Sequence, residues 1–367
     1  MTTIPSEGEL ALQIDQAVSE ALSALGQSTR WRTYNGPQQA SLVNHLQSLN
    51  ECEHVGLASS GSAALEIILR GCNLQSEDEV LLAGYDYPGN FAAIERVGAR
   101  PALVDIEPQG WNLDWESLNA TVTSQCRVLI ATHLHGQLQA IDHLQKWCEE
   151  RGIYLIQDAC QALGATFDSR PLATFADATL LSFGGSKVIS AGRGGAWLSN
   201  NPELAQRIRR AEGVGSGVAE LSEFQAAAVN AQLPFLGRVT ELTRRYFSSQ
   251  AADLEKHCPQ LLAPWKSHGH QTAFYQAGWV MKCSENDKPC TNLLELRQSQ
   301  HAAHERVGIG SGFPGYHRRS RRRCRVIGPL RNTERIVATT LTVHHRAALN
   351  NLPVAEAICE LLTQCYQ

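Results

Sequence analysis

Two neighbouring segments of this 367-residue chain carry residues that could do chemistry together. IYLIQDACQALGA (153–165) closes an apolar run on an acid, Asp158, and ATLLSFGGSK (178–187) closes the next on a short loop and a lysine, Lys187. A lysine amine and a carboxylate at adjacent strand ends are what pyridoxal phosphate requires. The amine forms a Schiff base with its aldehyde. The carboxylate pairs with the pyridine nitrogen and keeps the ring protonated and electron-withdrawing. Once substrate displaces the lysine, the same amine can carry a proton between two carbons. Taken alone, Lys187 reads as a solvated loop lysine and Asp158 as a turn or capping acid. The pairing is what points to chemistry.

A second segment, HVGLASSGSAALEIIL (54–69), reads as strand, small-residue turn and helix. Ser59, Ser60, Gly61 and Ser62 lie where the first N–H groups of that helix open outward, a place suited to a phosphate dianion. A plain serine helix cap is the other reading. Ser182, before the lysine loop, offers a further hydroxyl. In GYDYPGN (84–90), Tyr85 or Tyr87 could lie against a pyridine face, or simply pack in a turn.

Positioning these residues takes a particular set of elements. From about 54 to 215 short apolar runs alternate with helical stretches: HVGLA (54–58), EVLLA (79–83), PALVD (101–105), RVLIAT (127–132), IYLIQD (153–158), ATLLSF (178–183) and GAWLS (195–199). Continuous Val, Ile and Leu runs belong to strands covered on both faces. The alternation predicts an α/β fold, with a mostly parallel seven-stranded sheet and helices on both faces. Ligands of such sheets gather at the carboxyl ends of the strands, which is where the residues above fall. Residues 6–26 predict an N-terminal helix, and 225–255 a helical stretch broken near Pro234. Beyond it the alternation fades. The expected division is a large cofactor-binding domain over 1–235 and a smaller C-terminal α+β domain over 236–367.

Composition excludes some classes. The chain has 32 basic and 36 acidic side chains, net −4, with no global nucleic-acid or membrane signature. No apolar stretch is long enough to cross a bilayer, and MTTIPSEGEL has neither the basic nor the apolar region of a secretory signal. Eleven cysteines, odd in number and scattered without a C-x-x-C pair, read as reduced, mostly buried hydrophobes in a cytoplasm. No metal site is expected.

The order and spacing of several blocks identify a resemblance. SSGSAALE (59–66), EDEVLL (77–82), VGARPALVDIEPQGWNLD (97–114), HLHGQ (133–137), QDACQALGA (157–165), SFGGSKVISAGRGGAWLSN (182–200) and LSEFQAAA (221–228) resemble the DegT/StrS family of pyridoxal-phosphate sugar aminotransferases. The match covers roughly residues 50–235. The resemblance implies the aspartate-aminotransferase type of fold (pyridoxal-phosphate transferase fold type I). It implies that Lys187 carries the cofactor and Asp158 faces its ring nitrogen. Gln161 would lie near the ring hydroxyl, and Gly61, Ser62 and Ser182 would hold the phosphate. It places Tyr87, not Tyr85, at the stacking position. The implied reaction moves an amino group from glutamate or glutamine to a keto-sugar or keto-cyclitol, in a homodimer. Rival readings are an elimination or dehydration on a similar substrate and a non-catalytic regulatory member. The lysine counts against the family's dehydratase branch, where histidine replaces it.

The chain also departs from the family. A G-Y-N-x-R stretch is shortened to EGVGSGVAE (212–220), with Val218 where an asparagine usually reaches the neighbouring subunit's phosphate; that contact is put in question. VISAGRGG (188–195) looks like the branch acting on keto-cyclitols. GYHRRSRRRCR (315–325) packs six arginines into eight positions without an acid. It reads as a solvated loop, as an anion clamp for a donor carboxylate or a nucleotide diphosphate, or as a small nucleic-acid patch. His344 and His345, beside an expected strand at 338–343, are left unassigned.

Overall fold

A computed structural model describes residues 7–213, 220–267, 270–282, 309–315 and 324–365, and everything below concerns those residues. All seven apolar runs form strands, within one residue of the boundaries expected. They are β1 (His54–Ala58), β2 (Glu79–Ala83), β3 (Arg100–Val104), β4 (Cys126–Thr132), β5 (Tyr154–Asp158), β8 (Ala178–Ser182) and β9 (Gly195–Ser199). A two-stranded ribbon, β6 (Thr166–Phe167) with β7 (Arg170–Pro171), separates β5 from β8. The large sheet runs β1-β9-β8-β5-β4-β2-β3-β13. Its eighth strand, β13 (Arg325–Val326), comes from the C-terminal part and pairs parallel to β3. Two residues carry too little pattern to read as a strand. β9 alone runs against its neighbours.

Alternate residues of the central strands feed two hydrophobic clusters, one on each face. Val80 and Leu82, Val128 and Ile130, and Ile156 join the first, under α3 (Gly61–Gly71), α4 (Pro88–Arg96) and α7 (Pro202–Glu212). Leu81, Leu129, Ala131 and Leu155 join the second. That second cluster continues through α9 (Leu236–His257) to Trp279 and Leu341 of a smaller antiparallel sheet. The order there is β10 (Leu261–Leu262), β11 (Gln276–Met281), β14 (Thr340–His344) and β12 (Ile309–Ser311). The break expected near Pro234 is a single 3-10 turn, Leu233–Phe235, joining α8 (Glu223–Gln232) to α9. The N-terminal helix α1 (Glu7–Gln27) packs on α8. The strand expected over 338–343 is shifted. Ala338 and Thr339 finish α10 (Arg331–Thr339), and β14 runs to His344.

The HLHGQ block joins the two sheets. His135 and Gly136 both have left-handed backbone (φ +54° and +90°), and a side chain at Gly136 would also meet the Phe274 ring. The His135 carbonyl accepts the Gly278 N–H at 2.9 Å, which sets β11 against the large sheet. Trp111 and His135 leave Gly278 no room for a Cβ. Among the described residues no helix is long and apolar enough to cross a membrane.

Candidate functional site

Because β1, β2, β4, β5 and β8 run the same way, their carboxyl ends lie along one edge of the sheet, and a cleft of about 320 Å³ opens there. Gly61, Ser62, Tyr87, Asp158, Gln161, Ser182 and Lys187 all line it. Four strand ends deliver them: those of β1, β2, β5 and β8. Ser60 caps α3, its Oγ accepting the Ala63 N–H at 3.0 Å, so the helix starts at the cleft with Gly61 and Ser62 on its wall. Ser182 closes β8 and accepts the Gly184 N–H. Tyr87, the residue before Pro88 at the start of α4, is 45% exposed, whereas Tyr85 is fully buried. The bend between β2 and α4 separates them: Tyr85 points into the core, where its hydroxyl lies 3.0 Å from His135 Nε2 and accepts the Phe313 N–H.

Asp158 ends β5 and is 3% exposed. Its Oδ1 accepts the Cys160 N–H at 2.9 Å and its Oδ2 accepts Asn90 Nδ2 at 3.0 Å. Gln161 accepts the His135 N–H through Oε1, so its Nε2 is the end left for a ligand. Lys187 sits half-buried above Tyr275, its Nζ 4.0 Å from the ring centroid. The Tyr275 hydroxyl lies 2.9 Å from Ser186 Oγ, and His344 Nε2 donates to the Ser186 carbonyl at 2.9 Å. The peptide just before Lys187 is thereby held by two residues of the second sheet.

The electrostatics centre on a second acid. Asp86 has no solvent exposure and lies near Asp158; Asn90 Nδ2 donates to both carboxyl groups, and Thr132 Oγ1 donates to Asp86 Oδ2 at 2.9 Å. Burial, and then the charge of Asp158, hold the Asp86 carboxyl well above the usual range, against the pull of Thr132, the Tyr87 N–H and Asn90. Two like charges in so dry a place disfavour one another, and the charged form of Asp86 is the one penalised. Burial drives His135 down to about 3 and His345 to about 3, so both rings are neutral. His133, lowered to about 4 by burial, is occupied by Gln157 and the Gln139 N–H.

The DegT/DnrJ/EryC1/StrS aminotransferase family profile matches residues 12–362. The chain belongs to that family. Among its relatives, the L-glutamine:2-deoxy-scyllo-inosose aminotransferase of Streptomyces kanamyceticus is 31% identical over 252 residues, 61% of this chain and 59% of the relative. A pleiotropic regulatory protein of Geobacillus stearothermophilus is 28% identical over 281 residues, covering 73% and 76%. The chain thus spans about three-fifths of the length of the inosose aminotransferases it matches. Helicobacter pylori PseC, an aminotransferase involved in the biosynthesis of pseudoaminic acid, superposes with a TM-score of 0.82 at 16% identity, over 95% of both chains. At that identity the likeness concerns the fold.

Within this family member the cleft also holds residues that sequence reasoning did not single out. Asn90, Thr132 and Cys160 line it from the large sheet, and Tyr275, Gln276, Ser311 and Phe313 from the second. A signal existed for Asp86 and Asn90. They follow β2 in the stretch that leads into α4, close enough in sequence for Asn90 to donate to Asp86. The second-sheet residues had none, since β11 and β12 become neighbours of the cleft only through β14. Of the arginine run, residues 316–323 lie outside the described residues, as does Val218. Arg325 is described and is already committed: it donates to both Glu79 oxygens at 2.7 and 2.6 Å and to the Thr121 carbonyl. His344 and His345, left unassigned in the sequence, stand beside Tyr275 and the lysine loop.

Proposed function

We propose that this chain is a pyridoxal-phosphate-dependent aminotransferase that moves an amino group from glutamate or glutamine to the ketone of a sugar or cyclitol. What carries the reading is one juxtaposition: the Lys187 amine and the buried Asp158 carboxylate facing one cleft that begins at the N terminus of α3. The donor set fits the cofactor. It supplies a cation, an anion held by two donors, hydroxyls beside a helix N terminus, and a half-exposed tyrosine ring.

Lys187 would hold the cofactor and Asp158 would face its ring nitrogen. Gly61, Ser62 and Ser182 would take the phosphate, Tyr87 one face of the ring, and Gln161 Nε2 the ring hydroxyl. When bound, the cofactor supplies an electron-withdrawing ring that stabilises negative charge on a substrate carbon. Asn90 and the Cys160 N–H hold the Asp158 carboxyl in place. Because the charged form of Asp86 is disfavoured, Asp158 is the carboxyl suited to meet the ring nitrogen. Lys187 Nζ, above Tyr275, moves the proton on and off the reacting carbon, and the clamp on Ser186 limits how far it swings. A boundary near residue 235 between a cofactor-binding part and a smaller C-terminal part, and assembly as a homodimer, belong to the same proposal. The ketone class rests on relatives named for inosose and amino-sugar substrates.

The test is an absorbance spectrum of the purified protein with pyridoxal phosphate, beside Lys187→Ala. The expected result is a visible band in the parent, absent from the variant, that fades on adding glutamate or glutamine. Product analysis with a keto-cyclitol and a nucleotide-linked keto-sugar then separates amination from elimination and chooses the acceptor. A parent without the band defeats the proposal and leaves the regulatory reading.

A further inference from the structure

Outside the cleft, Cys258 and Cys359 bring their sulfurs to 2.7 Å across a sequence separation of 101 residues. Cys258 caps the C terminus of α9, its N–H bonded to the Leu254 carbonyl, and is 3% exposed. Cys359 lies in the C-terminal helix Val354–Cys365, which packs along α9, and is partly exposed. The pair opens onto a surface cleft walled by Asp253, His257, Glu356 and Glu360. Among the described cysteines this is the one pair so placed. Both ends are anchored in long helices, so the approach does not depend on a loose loop.

We propose that Cys258 and Cys359 are a modification site that takes a small-molecule disulfide, such as oxidised glutathione, and closes to an intramolecular disulfide. Cys359, the reachable thiol, attacks the small disulfide as its thiolate. It forms a mixed disulfide and releases one glutathione thiol. Cys258 then loses its proton and attacks the Cys359 sulfur, forming the internal bond and releasing the second glutathione. Two protein thiols are oxidised and one glutathione disulfide is reduced to two thiols. Closing 2.7 Å to the ~2.05 Å of a disulfide takes a shift of under about 1 Å. Burial, then the neighbouring thiol, holds the Cys258 proton on, so the pair stays reduced until an oxidant engages Cys359.

The enclosed loop gives the bond its consequence. All four strands of the second sheet, from Leu261 to His344, lie between these cysteines, as do Tyr275, Gln276, Ser311 and Phe313 of the candidate site. Cross-linking the ends of so long a loop restricts the unfolded chain most, so the bond staples the whole second sheet.

The full-length protein is to be incubated with oxidised glutathione, alkylated, and mapped by mass spectrometry without reductant, beside Cys359→Ser. We expect a linked peptide pair joining 258 to 359, reversed by dithiothreitol. The thermal midpoint of the oxidised parent should rise by several degrees, with neither change in Cys359→Ser. Residues 258 and 359 that remain alkylatable, a mixed disulfide that persists at Cys359, or a preferred link to another cysteine would each overturn the site. A 258–359 link formed with no rise in midpoint overturns the stapling. Mapping the parent requires no variant to fold.

Discussion

The two walls of the cleft differ in how they hold their residues. On the large-sheet side each side chain stands at the end of a parallel strand, locked by its own neighbours: Asp158 by Asn90 and the Cys160 N–H, Gln161 by the His135 N–H. On the second-sheet side, Tyr275 and His344 grip the Ser186 hydroxyl and carbonyl, and the Tyr275 ring lies under the Lys187 amine. The large sheet therefore presents the groups suited to chemistry, and the second sheet sets where the lysine loop rests. The lesson is that chemical identity and position are supplied by different parts of the chain.

That contrast can be broken most forcefully at Asp158. Asp158→Asn removes the anion but keeps the shape, and turnover should fall by about 10³-fold while the Lys187-dependent band remains. A loss of under tenfold would mean the large sheet does not hold the decisive charge. The join between the two parts is next. Arg325 is the partner of Glu79, which is 1% exposed, so Arg325→Ala strands a buried carboxylate and should cost roughly 3 kcal/mol in denaturant unfolding. Burial raises the Glu79 pKa, but Arg325 outweighs it and the carboxyl ends below its ordinary 4.5. The pair's stabilisation is present above that value and fades as pH falls below it. A variant as stable as the parent at neutral pH would show that the C-terminal strand is merely laid on the sheet.

Asp86 sharpens the contrast through pH. Folding raises its pKa, so the folded protein keeps a proton that the unfolded chain releases above about 3.8, and stability falls as pH rises from there. Asp86→Asn has no such slope. Its melting advantage over the parent should grow from about pH 4 towards neutrality, and a flat difference would place the proton elsewhere. The neutral histidines act in the opposite sense. His135 and His345, held near 3, favour the folded state above about 6.5 and cost stability as pH drops below it. The smallest effect is expected at Tyr275→Phe. It keeps the ring under Lys187 and loses only the bond to Ser186, so turnover should drop roughly threefold to tenfold with little change in KM. A loss as large as that of Asp158→Asn would erase the distinction between the walls.

How much could be read beforehand follows the same division. The apolar runs from 54 to 199 announce strands because each is buried on both faces, and five of them end in residues that line the cleft. Tyr85 and Tyr87 could not be separated by local pattern, since both stand in one turn. Their exposure differs only because the chain leaves β2 into α4 with one ring inward and the other outward. Cys258 and Cys359 are invisible as a pair from spacing, because they stand 101 positions apart and the chain between them must fold before they meet.

The sequence by itself determined the alternating α/β order, the strand ends that carry Asp158 and Lys187, and the helix start at Gly61 and Ser62. These rest on periodicity and on contacts local to each element. The tertiary structure alone decided four things: the buried acid Asp86 beside Asp158, the Tyr275–His344 hold on Ser186, the eighth strand with its Arg325–Glu79 pair, and the meeting of two cysteines. Each joins segments whose proximity depends on which strands pair and how the second sheet docks, and no local pattern encodes that distance.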